Sequence, residues 1–132
     1  MQTFLRRPFA GRERTFQLRF GEAAELERLC NAGIGAIMVR LATHQFYTSD
    51  IREPIRLGLQ GGGMSEPEAT ALIMGNVDGK PLAGPHLELA CDIIGAYVNG
   101  IPDEIKKKAA PSRPRTPRRR ATSASGTASA AQ

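Results

Sequence analysis

Little cysteine and no long apolar run set the first limits on this chain of 132 residues. Its two cysteines, Cys30 and Cys91, have no Cys-x-x-Cys spacing and no histidine pattern beside them, which excludes a disulfide framework or a zinc site as the organising feature. Each is expected to fill the buried face of a helix, as a free thiol often does. No stretch approaches the roughly 18 continuous apolar residues of a membrane span. The opening MQTFLRRPFAGRERTF carries arginines but no apolar run of signal-peptide length, so a reducing cytoplasm is the default compartment and no membrane is expected as a partner.

Acid is missing from the other end. Residues 106–132 hold 8 Lys and Arg and no Asp or Glu, a charge of +8, whereas residues 1–105 hold 10 basic and 13 acidic residues, 10 − 13 = −3. The formal net charge of +5 therefore belongs to the tail. A mildly acidic domain has no general attraction to nucleic acid, so any such attraction must come from Lys106, Lys107, Lys108, Arg113, Arg115, Arg118, Arg119 and Arg120. These cations are the candidate polyanion-binding residues. The segment lacks aromatics for base stacking and any folded motif for base readout, and an arm for an acidic protein surface or a solubilising extension fits the same composition. After Ile105 there is no aromatic residue and no Val, Leu or Met, so too little apolar surface exists to offset ordering entropy and residues 105–132 are expected to be disordered.

What is present suits one small domain, residues 1–104. Residues 15–20, TFQLRF, alternate polar residues with Phe16, Leu18 and Phe20, the period of a half-buried strand. QTFLRRPF pairs with it through a turn near Ala10 and Gly11, although Pro8 cannot donate to a ladder. From Glu22 the period becomes helical. Ala23, Leu26, Leu29 and Cys30 mark a first helix that stops at 31–33; Ile34, Ile37, Met38, Leu41 and Ala42 mark a second. Asp50 with Glu53 predicts the start of a third helix carrying Ile51, Ile55 and Leu59, with Pro54 in its first turn. Ser65 caps a fourth, with Glu68 reaching back to the serine N–H and Ala69, Leu72, Ile73 and Val77 inward. A fifth spans 85–99 with Leu87, Ala90, Cys91, Ile94, Tyr97 and Val98 on one stripe and Gly100 as its stop. The fold class is α+β, mainly α: a β-hairpin, then about five short helices.

No chemistry emerges from these elements. LGLQGGGMSEPE (57–68) has the glycines of a phosphate loop but follows a helix, lacks the Lys, and continues into Glu66 and Glu68, so it predicts a flexible joint between helices. His44, Asp50 and Glu53 are accounted for by caps and a helix C-terminus rather than acid–base work, and His86, Cys91 and Asp92 make no triad. No catalytic, cofactor-binding or metal-ligating residue is assigned, and no enzyme is expected.

The order of these pieces, TFQLRF, GEAAELERL, GIGAIMVRLA, IRLGLQGGG, SEPEATALI and LELACDIIGAYVNG, resembles the tail assembly chaperone family of gene transfer agents and related siphophages, a family sometimes labelled tail tube protein. The resemblance spans about residues 11–100 and rests on that order. It implies a non-enzymatic protein of a bacterial host or prophage that coats the tape measure protein, and touches the tail tube protein, during tail morphogenesis. A structural tube component or a small DNA-associated protein are the alternatives. Ile51, Ile55, Leu59, Leu72 and Ile73, beside the glycine joint, are the expected partner-binding stripe; the basic tail lies outside the family pattern.

Overall fold

Two antiparallel strands, β1 (Phe4–Phe9) and β2 (Arg12–Gln17), open the computed structural model, which describes residues 1–102. Gln2–Gly100 forms one compact unit. The hairpin turn consists of Ala10 and Gly11 at φ +54° and +88°, the positive values that two-residue turns need to match strand twist. Arg14 reinforces it, its guanidinium donating to the carbonyls of Phe9 (3.0 Å) and Ala10 (3.1 Å). Because Phe9 and Arg12 flank a two-residue turn as a hydrogen-bonded pair, the next pair, Pro8 and Glu13, is not bonded across the ladder. Pro8 thus sits where its missing N–H costs the hairpin nothing.

Leu5, Phe9, Phe16 and Leu18 turn inward and are buried, with Phe9 and Phe16 edge to face at 6.0 Å. Phe20 does not continue the series. The Arg19 N–H donates to the Glu22 carboxylate at 3.0 Å and starts α1 (Phe20–Cys30) two residues before the expected Glu22, so Phe20 becomes the first helical residue and is 82% exposed. A local cap overrides the alternation. Helix α1 buries Ala23, Leu26 and Cys30 and ends at Asn31 in the left-handed conformation. Helix α2 (Ile34–Ala42) has only Gly33 at its N-cap, and Glu27 of α1 supplies the acceptor, taking the Ile34 N–H at 2.9 Å. Ile37 and Leu41 are buried, while Ala42, expected on the same stripe, is exposed.

Helix α3 (Thr48–Gly61) is the centre of the fold: it packs against β2, α1, α2, α4 and α5. It starts two residues before the expected Asp50. Asp50 instead occupies the third helical position and accepts the Tyr47 N–H at 2.8 Å, which places Pro54 inside the helix rather than in its first turn. Near-complete burial follows from that central position: Ile51, Pro54, Ile55, Leu57, Gly58 and Leu59 are all inward.

The glycines after it are a close-packing device, not a flexible joint. A Cβ on Gly61 would lie 1.8 Å from the Gln17 carbonyl oxygen, and one on Gly62 would lie 2.2 Å from that of Thr15. The end of α3 therefore meets β2 backbone to backbone. Gly63, at φ +118° with open space around it, makes the turn toward α4 (Glu66–Asn76). Ser65 caps α4 as expected, its oxygen accepting the Glu68 N–H at 3.4 Å; the Glu68 carboxylate meets the serine hydroxyl (3.2 Å) rather than the serine N–H. Ala69, Ile73 and Val77 are buried.

Helix α5 (Pro85–Asn99) ends at Gly100 as the sequence indicates, but its inward face is Leu87, Leu89, Ala90, Ile93, Ile94 and Ala96. Cys91 and Val98 lie outside. The helix packs on α2, α3 and both strands, so the buried sector is broader than one stripe and is rotated toward Leu89 and Ile93.

Candidate partner-binding surfaces

The expected partner stripe is placed in the interior. Ile51, Ile55, Leu59 and Ile73 are 0%, 0%, 1% and 0% exposed, and Leu72 is half-buried. These side chains lie within α3 and α4, two helices in contact, and are core in this state. Lys106, Lys107, Lys108, Arg113, Arg115, Arg118, Arg119 and Arg120, with the disorder expected for residues 105–132, lie outside the described residues.

The acids near His44 separate into structural roles. Asp50, fully buried, accepts from Tyr47 N–H with one oxygen and from the Arg40 guanidinium with the other at 2.7 Å. Arg40 also donates to the Cys30 carbonyl (3.2 Å) and lies over the Tyr47 ring at 4.8 Å. One guanidinium thereby ties the ends of α1 and α2 to the start of α3. Glu53 lies between Arg52 and Arg56, each at 2.7 Å, and Arg52 reaches on to Asp78, whose carboxyl it holds below the ordinary range. His44 is exposed at φ +59° and rests edge-on to Phe46, away from this network. Burial pushes the Cys30 thiol up to about 12, and its Sγ lies 3.5 Å from the Ser49 carbonyl. No three His, Cys, Asp or Glu side chains gather into a metal-binding group among the described residues, and no helix among them is long and apolar enough to cross a membrane.

Three surface features went unread in the sequence. The first is the outer side of α2. Its single charged residue, Arg40, is drawn inward to Asp50, leaving Gly35, Ala36, Val39 and Ala42 exposed with Ile34 and Met38 half-buried: a helical face without charge. Val39 is 61% exposed. The sequence signal was the lack of any acid or lysine in IGAIMVRLA, which reads as a buried helix until Arg40 finds its partner. The second is Phe20. The third is a groove of about 420 Å³ beside the hairpin turn, with Phe9 and Leu89 at its base, Pro8, Pro85 and His86 along it, and Arg7, Glu88 and Asp92 also lining it. Phe9 and His86 meet edge to face at 6.5 Å, and Arg7 pairs with Asp92 at 3.6 Å. His86 and Asp92 share this groove without a catalytic geometry: the imidazole Nδ1 faces the Pro81 carbonyl (3.1 Å), and Cys91 is exposed.

The features described are an uncharged helix face, an exposed ring and a groove. No curated protein matches the chain significantly, and no solved structure does. Residues 5–100 match the family described as phage tail tube protein, GTA-gp10, a span that starts in β1 and runs through every helix to Gly100. The chain belongs to this family of gene-transfer-agent and phage tail proteins.

Proposed function

We propose that the protein is a non-enzymatic assembly factor for phage-type tails that binds the tape measure protein before the tube closes around it. The carrying observation is the uncharged outer face of α2. An amphipathic partner helix can lay its apolar side on Val39, with Gly35, Ala36 and Ala42 admitting close backbone approach and Ile34 and Met38 at the margins. Arg40, held by Asp50, places no cation on that path.

A structural tube subunit is the second reading, favoured by the family's own description. The sheet argues against tube formation by strand continuation. A ring or helical tube built that way needs two open edges on every subunit. Here the hairpin has only two strands, the outer carbonyls of β2 at Thr15 and Gln17 are covered by Gly62 and Gly61, and the outer edge of β1 carries Pro8. These features support a factor that acts on the tail rather than one that forms its wall by strand pairing.

Co-expression with the tape measure protein tests the proposal. The wild-type chain is expected to keep the tape measure soluble and to co-purify with it. Val39→Asp should weaken that association at least about tenfold while changing stability by no more than about 0.5 kcal/mol, because the side chain is exposed. A tape measure equally soluble without this protein, or bound equally by the Val39→Asp variant, rejects the proposal. Mass spectrometry of purified particles separates the two readings: an assembly factor is scarce there, a tube subunit abundant.

A further inference from the structure

We infer that copies of this protein associate head to tail, the exposed ring of Phe20 on one copy entering the groove beside the hairpin turn of the next. The two halves of such a contact lie on every chain. Phe20, the most exposed aromatic side chain among the described residues, stands at the start of α1, just beyond the end of β2. The groove lies at the other end of the same strand, around Pro8, Phe9 and Ala10. A strand of six residues, the length of β2, spans about 20 Å, so Phe20 cannot reach the groove of its own chain. A Phe20 ring in this groove therefore comes from a second copy.

The groove is suited to a phenyl ring. Its volume of about 420 Å³ admits a ring, and Phe9, Leu89, Pro8, Pro85 and His86 offer apolar and aromatic contact. Phe9 and His86 already pack edge to face, the geometry that an incoming ring would extend, and Phe16 backs Phe9 from the core. Charge fits as well. Among the described residues Glu88 holds no ion pair, while Arg19, adjacent to Phe20, is exposed and pairs with Glu22 in the first turn of α1. Entry of Phe20 brings that guanidinium toward the Glu88 carboxylate. A knob and a hole at separate sites make a heterologous contact, which leaves one of each free and repeats into a chain or ring. This inference does not depend on tape measure binding: it concerns the protein alone.

Sedimentation equilibrium across a concentration series tests it. The wild-type chain should reach an average mass above twice that of the monomer. Phe20→Glu removes the knob, and H86S/E88R removes the ring wall and reverses the rim charge; each alone should self-associate at least about tenfold more weakly. An equimolar mixture of the two retains one intact knob and one intact groove per pair and should stop at the dimer. Circular dichroism and thermal melting of each variant establish that both remain folded; Phe20 and Glu88 are exposed, so native folds are expected. If H86S/E88R proves misfolded, the exposed Glu88→Arg and Arg19→Glu variants replace it: each should weaken association and the two mixed should restore it. A wild-type chain that stays monomeric throughout, or a folded groove variant that associates as well as wild type, overturns the inference. Because no partner protein is present, neither result bears on the tape measure proposal.

Discussion

Gly61 and Gly62 lie where an added methyl group would meet backbone rather than the end of a side chain. Their Cα positions face carbonyl oxygens of β2 with no room for a methyl group, and backbone cannot swing aside as a flexible side chain can. Gly61→Ala is expected to cost about 3 kcal/mol or more, with Gly62→Ala close behind. Gly63→Ala meets no neighbour but retains φ +118°, so a smaller loss of about 1 kcal/mol is expected. Gly35→Ala, in open space within α2, should stabilise by up to about 1 kcal/mol. Urea denaturation of the four variants checks this ranking, and equal effects at 61 and 63 would refute the close-packing account. The two thiols differ as sharply. A disulfide-exchange reagent should titrate one thiol in the native protein, the exposed Cys91, and two after denaturation. Burial favours the neutral Cys30 thiol, so its contribution to stability is complete below the unfolded value near 9.0 and is lost as pH rises toward about 12.

Among the elements, α3 contacts the most others, and α2, which packs on α1, α3 and α5, also reaches α3 through the Arg40–Asp50 pair. Asp50→Ala leaves Arg40 without its carboxylate and Tyr47 N–H without an acceptor. The expected cost is about 3 kcal/mol by denaturant melting, at the low end for a broken buried pair because Arg40 still reaches water. A cost below about 0.5 kcal/mol, the usual size for a surface substitution, would show that the clamp contributes little. The hairpin and the five helices of the described residues were legible in the sequence, because each carries a period and most carry a stop: Ser65 before α4 and Gly100 after α5 lie where the pattern places them. The starts of α1 and α3 were not. In both, a carboxylate at the third helical position takes a backbone N–H from outside the helix, and that reciprocal cap looks from sequence like the helix start itself. Surface assignment was the least legible part. An apolar stripe such as Ile51, Ile55 and Leu59 has the same spacing whether it faces a core or a partner, and only the position of α3 between five neighbours decides it. The face of α2 was hidden for the converse reason: its one charge is spent on Asp50.

For the molecule as a whole, its features separate by task. Most of the interior is built from side chains the sequence announces, and the surface features that carry the two proposals are those it conceals: an uncharged helix, a ring at one end of a hairpin and a groove at the other. The seam between β2 and α3 also governs the order in which the chain can fold. Gln17 and Gly61 meet across 61 − 17 = 44 residues, so at a synthesis rate of roughly 5–20 residues per second the hairpin emerges about 2–9 s before the helix that covers it. During that interval Phe16 and Leu18 have no α3 to bury them, and a nascent chain arrested before Gly61 presents them to whatever the ribosome exit holds.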